Sequence, residues 1–307
     1  MVLPQVSGED WRPKNFDEEF RGPITMREGL RSSINMIAIK LGWEEVGIET
    51  VAQTARRMGL QTEIERFPST TIGAAEVIPI QMAEAYSGFA TLGTTVRPFP
   101  ILRVESAEGE VLWEPQPERT VVLDSLVARV MVDMLQDAAN FGTGGNHRTI
   151  GELPYEVPTA GKTGTTNDGT DTWFQGFTPN LLASVWFGMD RPVSMATTQP
   201  QATGGFYAAP VWGRFMKHVY YGMEGTDEAP APFEEGVIQV PDPWPELPGL
   251  TTREVDARTG KLWSRWCDEE DRYTEIYLPG TEPTEVCDAS TRRLFRIPGV
   301  GGRPIGR

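Results

Sequence analysis

Three β-rich runs, TAGKTGTT (159–166), TDTWFQGFTP (170–179) and NLLASVWFGMD (180–190), follow one another with only short turns between them. No other feature restricts the fold as much. A parallel pair needs a crossover of a dozen or more residues, so these runs must be antiparallel neighbours. The longest helical pattern precedes them. Asp124 to Asn140 carries Leu126, Val127, Val130, Met131, Met134, Leu135 and Ala138 on one side. A glycine-rich loop, GTGGN (142–146), joins helix to sheet. The pattern predicts an α+β fold, an antiparallel sheet packed with helices.

The remaining elements are mostly helical. After the polar opening WRPKNFDEEFRGP, Thr25-Met26-Arg27-Glu28 forms a capping box. Met26, Leu30, Ile34, Ile37, Ala38 and Leu41 then repeat at helical spacing, with Gly42 as the expected stop. Further helices are expected over Glu49–Met58, ended by Gly59, over Pro79–Leu92 with Ile80, Ala83, Tyr86 and Ala90 on one face, and over Tyr207–Tyr221. Residues 100–113 read as a hairpin turning at Glu108-Gly109. Beyond residue 224 the composition changes. APAPFEEGVIQVPDPWPELPG is Pro-rich and acidic and reads as linker, and residues 251–296 regain β character. The expected division is a main domain over 1–224 and a linker with C-terminal extension over 225–307.

Composition excludes several classes. A net charge of −15 repels phosphate backbones, so nucleic acid is not an expected partner. No apolar run approaches the roughly 20 residues of a membrane span, and the opening MVLPQVSGED has neither the basic start nor the apolar centre of a leader. The chain as given is therefore expected to be soluble. Two cysteines (Cys267, Cys287) and two unrelated histidines (His147, His218) make no metal cage, so neither a metal nor another cofactor is expected.

Two short motifs carry candidate chemistry: Ser33-Ile34-Asn35 beside the first helix, and Lys162-Thr163-Gly164, followed by Thr165, on a strand. Each alone is weak. Ser33 and Asn35 also read as ordinary helix-surface residues, Lys162 as a solvated guard of a strand edge, and Gly164 as the mark of a bulge. Their order and setting say more. The run AGKTGTTND…TDTWFQGFTPNLLASVWFGMD, with RGPITMREGLRSSINMIAIKLG, AEAYSGFATLG, GTGGN and TGGFYAAPVWGRFM, resembles the transpeptidase domain of class A penicillin-binding proteins over roughly residues 10–225.

That resemblance implies the penicillin-binding fold shared with serine β-lactamases. It also implies cleavage of a D-Ala-D-Ala bond through an acyl-serine intermediate, with transfer of the acyl group to an amine. Lys162 and Thr163 would then hold the donor peptide's carboxylate. Gly164 would let the peptide lie along the strand. The Thr165 N–H would be an oxyanion donor, Ser33 would relay a proton to the leaving amine, and Asn35 would hold the substrate's amide. Peptidoglycan stem peptides and β-lactams are the implied ligands. The implied parent is anchored on the outer face of the bacterial cytoplasmic membrane, works with cell-wall synthesis partners and also has a glycosyltransferase domain.

One part of the family's pattern is missing. The nucleophile is a Ser three residues before a Lys, but Trp11, Ile37, Thr159, Arg214 and Arg258 hold those positions before the five lysines. The expectation is a sequence truncated at its N-terminus, weakened in stability and inactive alone. A D,D-carboxypeptidase or β-lactamase-like hydrolase is the rival within the same chemistry. The Asp171–Asp190 block, the long tail and the absence of Glu-x-x-Leu-Asn after Ser33 favour the synthase. A non-catalytic binding or scaffold remnant is the rival of a different class. The active-site reading requires a helix break within 32–35, because residues two apart on a helix face away from each other. It also requires Ser33 within reach of Lys162. Trp173, Phe174 and Trp186 are expected in the core, and His147 and His218 to be structural or exposed. An oxidising compartment would favour a Cys267–Cys287 disulfide.

Overall fold

The computed structural model describes residues 1–4, 10–195, 202–223 and 236–291. A short strand pair, β1 (Leu3–Pro4) with β2 (Asp10–Trp11), opens the chain. The first helical segment is split as expected. α1 (Met26–Arg31) stops, the chain turns through Ser32–Ile34, and α2 (Asn35–Ile39) begins. Gly42 does not end it. A π-helical segment, Lys40–Glu45, continues the helix. The glycine serves packing instead, since a Cβ there would stand 2.7 Å from Thr71 in the 3-10 turn Pro68–Ile72.

α3 (Ile48–Arg57) and α4 (Pro79–Ala90) follow close to their expected bounds. The α4 face differs from expectation. Ile80 is 53% exposed, whereas Ala85 and Gly88 are buried. Helix α4 packs along two fronts, with Met82 and Phe89 against Met58 and Val122, and Tyr86 and Phe89 against Phe177 and Trp244. β3 (Thr94–Val96) pairs antiparallel with β6 (Arg119–Val121), and between them β4 (Val104–Glu105) and β5 (Val111–Trp113) form the expected hairpin.

α5 (Ser125–Asn140) is capped by Asp124, whose Oδ1 accepts from Leu126 N at 2.8 Å. Its buried face is rotated from the expected one. Val127 is 42% exposed, while Ala128, Val132, Leu135, Ala138 and Ala139 are buried. Ala138 lies on the expected side, and with Ala128 and Ala139 beside it the helix lies close against the sheet. After a short α6 (Asn146–Thr149), the central sheet runs β7 (Ala160–Thr165), β8 (Thr172–Phe177) and β9 (Leu182–Phe187), all antiparallel and in chain order. β7 is an edge strand. Its ladder with β8 is unbroken from Ala160 to Thr165, so Gly164 marks no bulge.

The core lies between this sheet and α5 on one side and α7 (Ala208–Tyr221) on the other. Phe174 belongs to it, but Trp173 is half-buried and Trp186 is 40% exposed, against expectation. The two indoles pair across β8 and β9 at 5.9 Å, with Trp186 Nε1 donating to Asp171 at 2.9 Å. His147 is structural. Its ring is buried between Phe174 and Trp212, and burial beside the Arg148 charge pushes its pKa down to about 3.

The stretch read as linker is ordered in its described part. Trp244 is buried against Phe177, its Nε1 donates to the Ala90 carbonyl at 3.0 Å, and Val237 N donates to Val219 O at 2.8 Å. Proline and acidic residues give it no helix or strand, but its apolar side chains strap it to the main body. Residues 224–235 and the last part of the tail, 292–307, lie outside the described residues. The tail's centre is an antiparallel hairpin, β10 (Thr251–Asp256) with β11 (Arg272–Tyr277), beside a Cys267–Cys287 disulfide with Cα atoms 5.7 Å apart.

Candidate active site

Ser33 owes its position to the way α1 ends. Ser33 N donates to Leu30 O at 3.2 Å and Ile34 N to Gly29 O at 2.8 Å, the paired bonds of a Schellman termination. Glycine normally occupies the left-handed position of that turn. Here it is Ser33, at φ 54°. A left-handed side-chain-bearing residue costs about 1–2 kcal/mol, and such strain concentrates at functional positions. The turn places the exposed Ser33 side chain toward β7, and Lys162 Nζ donates to Ser33 Oγ at 2.7 Å.

Lys162 is half-buried, and its ammonium also donates to the Thr163 carbonyl at 3.1 Å. Among the described residues no carboxylate comes within ion-pair distance of it. Burial without a counter-charge pushes its pKa down to about 8. With Lys162 as donor to Ser33, the serine's own hydroxyl hydrogen is free to point elsewhere.

The other motif residues line the same strand. Thr163 and Thr165, two apart, share a strand face. Thr163 Oγ1 meets Thr143 Oγ1 at 2.5 Å, and Thr165 Oγ1 accepts from Gly204 N at 3.0 Å. A Cβ on Gly164 would stand 3.2 Å from the Cβ of Trp173, so the bare position serves cross-strand packing as well as an open surface. Asn35 starts α2, and its Nδ2 donates to the Lys14 carbonyl at 3.1 Å. The geometry thus brings Ser33 and Lys162 together and sets Thr163, Gly164 and Thr165 along the edge strand. Asn35 is held on the opening loop.

Thr143 was not singled out in the sequence. Its loop wedges α1 against β7: Thr143 N donates to Arg31 O at 3.3 Å while its side chain holds Thr163. Gly142 permits that approach, since a Cβ there would fall 2.2 Å from Arg31 O. The GTGG composition was the available signal, because adjacent glycines mark places where backbones come close.

Comparison with known proteins gives the context. Residues 3–217 match the penicillin binding protein transpeptidase domain, and residues 247–292 match the penicillin-binding protein 1A C-terminal domain. Penicillin-binding protein 1A of Aquifex aeolicus is 37% identical over 233 residues, covering 76% of this chain. The chain aligns with only 31% of that relative's length. Among solved structures, penicillin-binding protein 1A from Haemophilus influenzae superposes with a TM-score of 0.75 at 22% identity, over 93% of this chain and 44% of that one. PonA1 from Mycobacterium tuberculosis, solved in complex with penicillin V, gives 0.58 at 24% identity over 79% and 68%. Both share the fold. With the family's transpeptidase pattern spanning most of its length, the chain belongs to the penicillin-binding protein transpeptidase family and carries the C-terminal domain of penicillin-binding protein 1A.

Proposed function

We propose that this chain forms the donor-binding and proton-relay half of a peptidoglycan D,D-transpeptidase site. The observation that carries the reading is the 2.7 Å contact between Lys162 Nζ and Ser33 Oγ, made by a serine in a left-handed conformation. In the proposed reaction a nucleophilic serine from outside these residues, giving its proton to a base that also lies outside them, attacks the penultimate D-Ala carbonyl. The terminal D-Ala nitrogen must gain a proton as its bond to carbon breaks. Ser33 Oγ supplies that proton and Lys162 replaces it, ending neutral, a role suited to an amine whose pKa lies near the working pH. The Lys162 charge and the Thr163 and Thr165 hydroxyls receive the peptide's terminal carboxylate. The peptide lies along the free edge of β7, with Gly164 beneath it and the Thr165 N–H facing the oxyanion. Asn35 reaches the substrate amide only by exchanging its bond to Lys14.

The domain division at residue 224, the location outside the cytoplasmic membrane, β-lactam binding and a glycosyltransferase elsewhere in the parent belong to the same reading. No Ser-x-x-Lys occurs in the sequence, so the chain alone binds without forming an acyl-enzyme.

The test is a backbone amide NMR titration of the chain with a peptide ending in D-Ala-D-Ala, alongside one ending in L-Ala-L-Ala. Shifts confined to Ser33 and residues 162–165, for the D-peptide alone, are expected. Equal responses to the two peptides, or none at β7, would overturn the reading. Mass spectrometry after penicillin treatment is expected to show no covalent adduct, and an adduct on any serine of the chain would contradict the missing nucleophile.

A further inference from the structure

Arg27 lies in the first turn of α1 and takes no part in the proposed relay. It is buried, and its guanidinium reaches three carboxylates. Nη2 meets Asp133 at 2.6 Å, Nη1 meets Asp137 at 2.7 Å, and Nε and Nη2 grip both oxygens of Glu275, the Nε bond being 2.6 Å. The Tyr273 ring lies 5.0 Å from the guanidinium, and its hydroxyl donates to Asp137 Oδ2 at 3.2 Å. Asp133 and Asp137 belong to α5, while Tyr273 and Glu275 belong to β11. One side chain therefore ties the helix that ends at Ser33 both to the main body and to the C-terminal hairpin. The hairpin region also touches the cap of α1, where Thr25 Oγ1 donates to Ala257 O at 3.4 Å.

Stability alone does not account for this arrangement. Arg129 also reaches Asp133, at 3.5 Å, so two arginines face three carboxylates, and the half-buried Glu275 is the one that leaves the cluster net negative. What Glu275 adds is geometry. A two-pronged carboxylate fixes the rotation of a planar guanidinium, which a single-point contact does not. α1 has six residues, too few to hold its own shape in water. From Arg27 to Ser33 the axial rise is only about 9 Å. At its far end the helix is held by Thr143 and by the Lys162 contact itself.

We propose that the C-terminal hairpin is a positioning element of the relay, in which Glu275 fixes Arg27 and thereby the height and rotation of α1 that set Ser33 against Lys162. The proposal rests on the role given to that pair above, and it assigns to Glu275 a positioning part in transpeptidation, 248 residues along the chain from its partner.

The experiment reads the relay without substrate. Selective 13Cε labelling of lysine gives a signal from each of the five lysines, and Lys162 is identified by its loss in Lys162→Arg. In Glu275→Gln the two-pronged grip is lost, the Ser33 turn loosens, and water reaches Lys162. Its titration midpoint is expected to rise by at least half a pH unit. Arg272→Gln, which breaks the exposed pair with Glu254 on the same hairpin, is expected to leave the midpoint in place. An unmoved Lys162 in folded Glu275→Gln overturns the proposal. An equal shift in Arg272→Gln also overturns it, since any injury to the hairpin would then suffice. Should Glu275→Gln fail to fold, Tyr273→Phe, which keeps the ring over Arg27, is read the same way: a smaller upward shift supports the proposal and none defeats it. Failure of D-Ala-D-Ala recognition would show in the peptide titration alone, whatever the midpoints in the variants, so the two readings fail separately.

Discussion

At the first turn of α1, Arg27 is buried among three carboxylates. At the far end of the same helix, Lys162 comes up to Ser33 with no carboxylate in ion-pair reach among the described residues. Burial opposes both charges. Around Arg27 that penalty is outweighed, chiefly by Glu275, which holds its pKa above the ordinary value. At Lys162 no counter-charge among the described residues offsets it, and the pKa drops to about 8. A cation that fixes structure is surrounded until it cannot lose its proton. One that moves protons is left short of partners. The difference separates a structural charge from a chemical one by environment, where residue type alone would not.

The contrast can be broken at several points. Arg27→Met leaves the buried Asp137 and the half-buried Glu275 without their counter-charge, and Asp133 with Arg129 alone. It is expected to cost about 3–5 kcal/mol, read as a fall in the denaturant midpoint. A loss below about 1 kcal/mol, the worth of an exposed pair, would show the cluster to be solvated. Reduction of the Cys267–Cys287 disulfide, which closes a 20-residue separation, is expected to cost roughly 3 kcal/mol. That loss belongs to the hairpin, so hydrogen exchange should rise first in β10 and β11. Faster exchange beginning in β7 instead would contradict a loss that starts in the hairpin. Ser33→Gly relieves the left-handed strain and is expected to raise stability by about 1–2 kcal/mol, while Ser33→Ala keeps the strain and gains nothing comparable. Equal stability of the two variants would remove the claim that Ser33 is held at a cost.

Much of this arrangement was legible in the sequence. Sequential β-runs with short turns leave one topology, so the sheet and the edge position of Lys162-Thr163-Gly164 followed from local spacing. The break after α1 was expected because Ser33 and Asn35 could not otherwise face one cleft. What was hidden lies in long-range pairing. Arg27 sits in a capping box and reads as a surface residue of a helical first turn, and nothing near it announces Glu275. The buried faces of α4 and α5 were misjudged for a related reason. Large aliphatics dominate a sequence pattern, whereas close packing of the helices is made also by Ala128, Ala139 and Gly88. Trp186 shows the converse, a large ring left exposed because its partner, Trp173, lies at the sheet's end and not in the core. The strap around Trp244 was obscured by proline content, which forbids regular structure but not burial.

The central claim is that Lys162 is kept ready to give up its proton beside Ser33. It is tested most directly by the 13Cε titration of Lys162 in the unaltered chain, with the denaturant midpoint followed over the same pH range. The expected midpoint is about 8, against roughly 10.4 for an unperturbed lysine. The sign of the linked stability change follows. Below pH 8 folded and unfolded chains both hold the proton, and the burial penalty is present in full. Between pH 8 and the unfolded value only the unfolded chain holds it, so stability rises with pH. Lys162→Met is expected to abolish that rise. A Lys162 midpoint near 10.4, with no difference between the two chains in pH dependence, would mean a solvated edge lysine and would contradict the account.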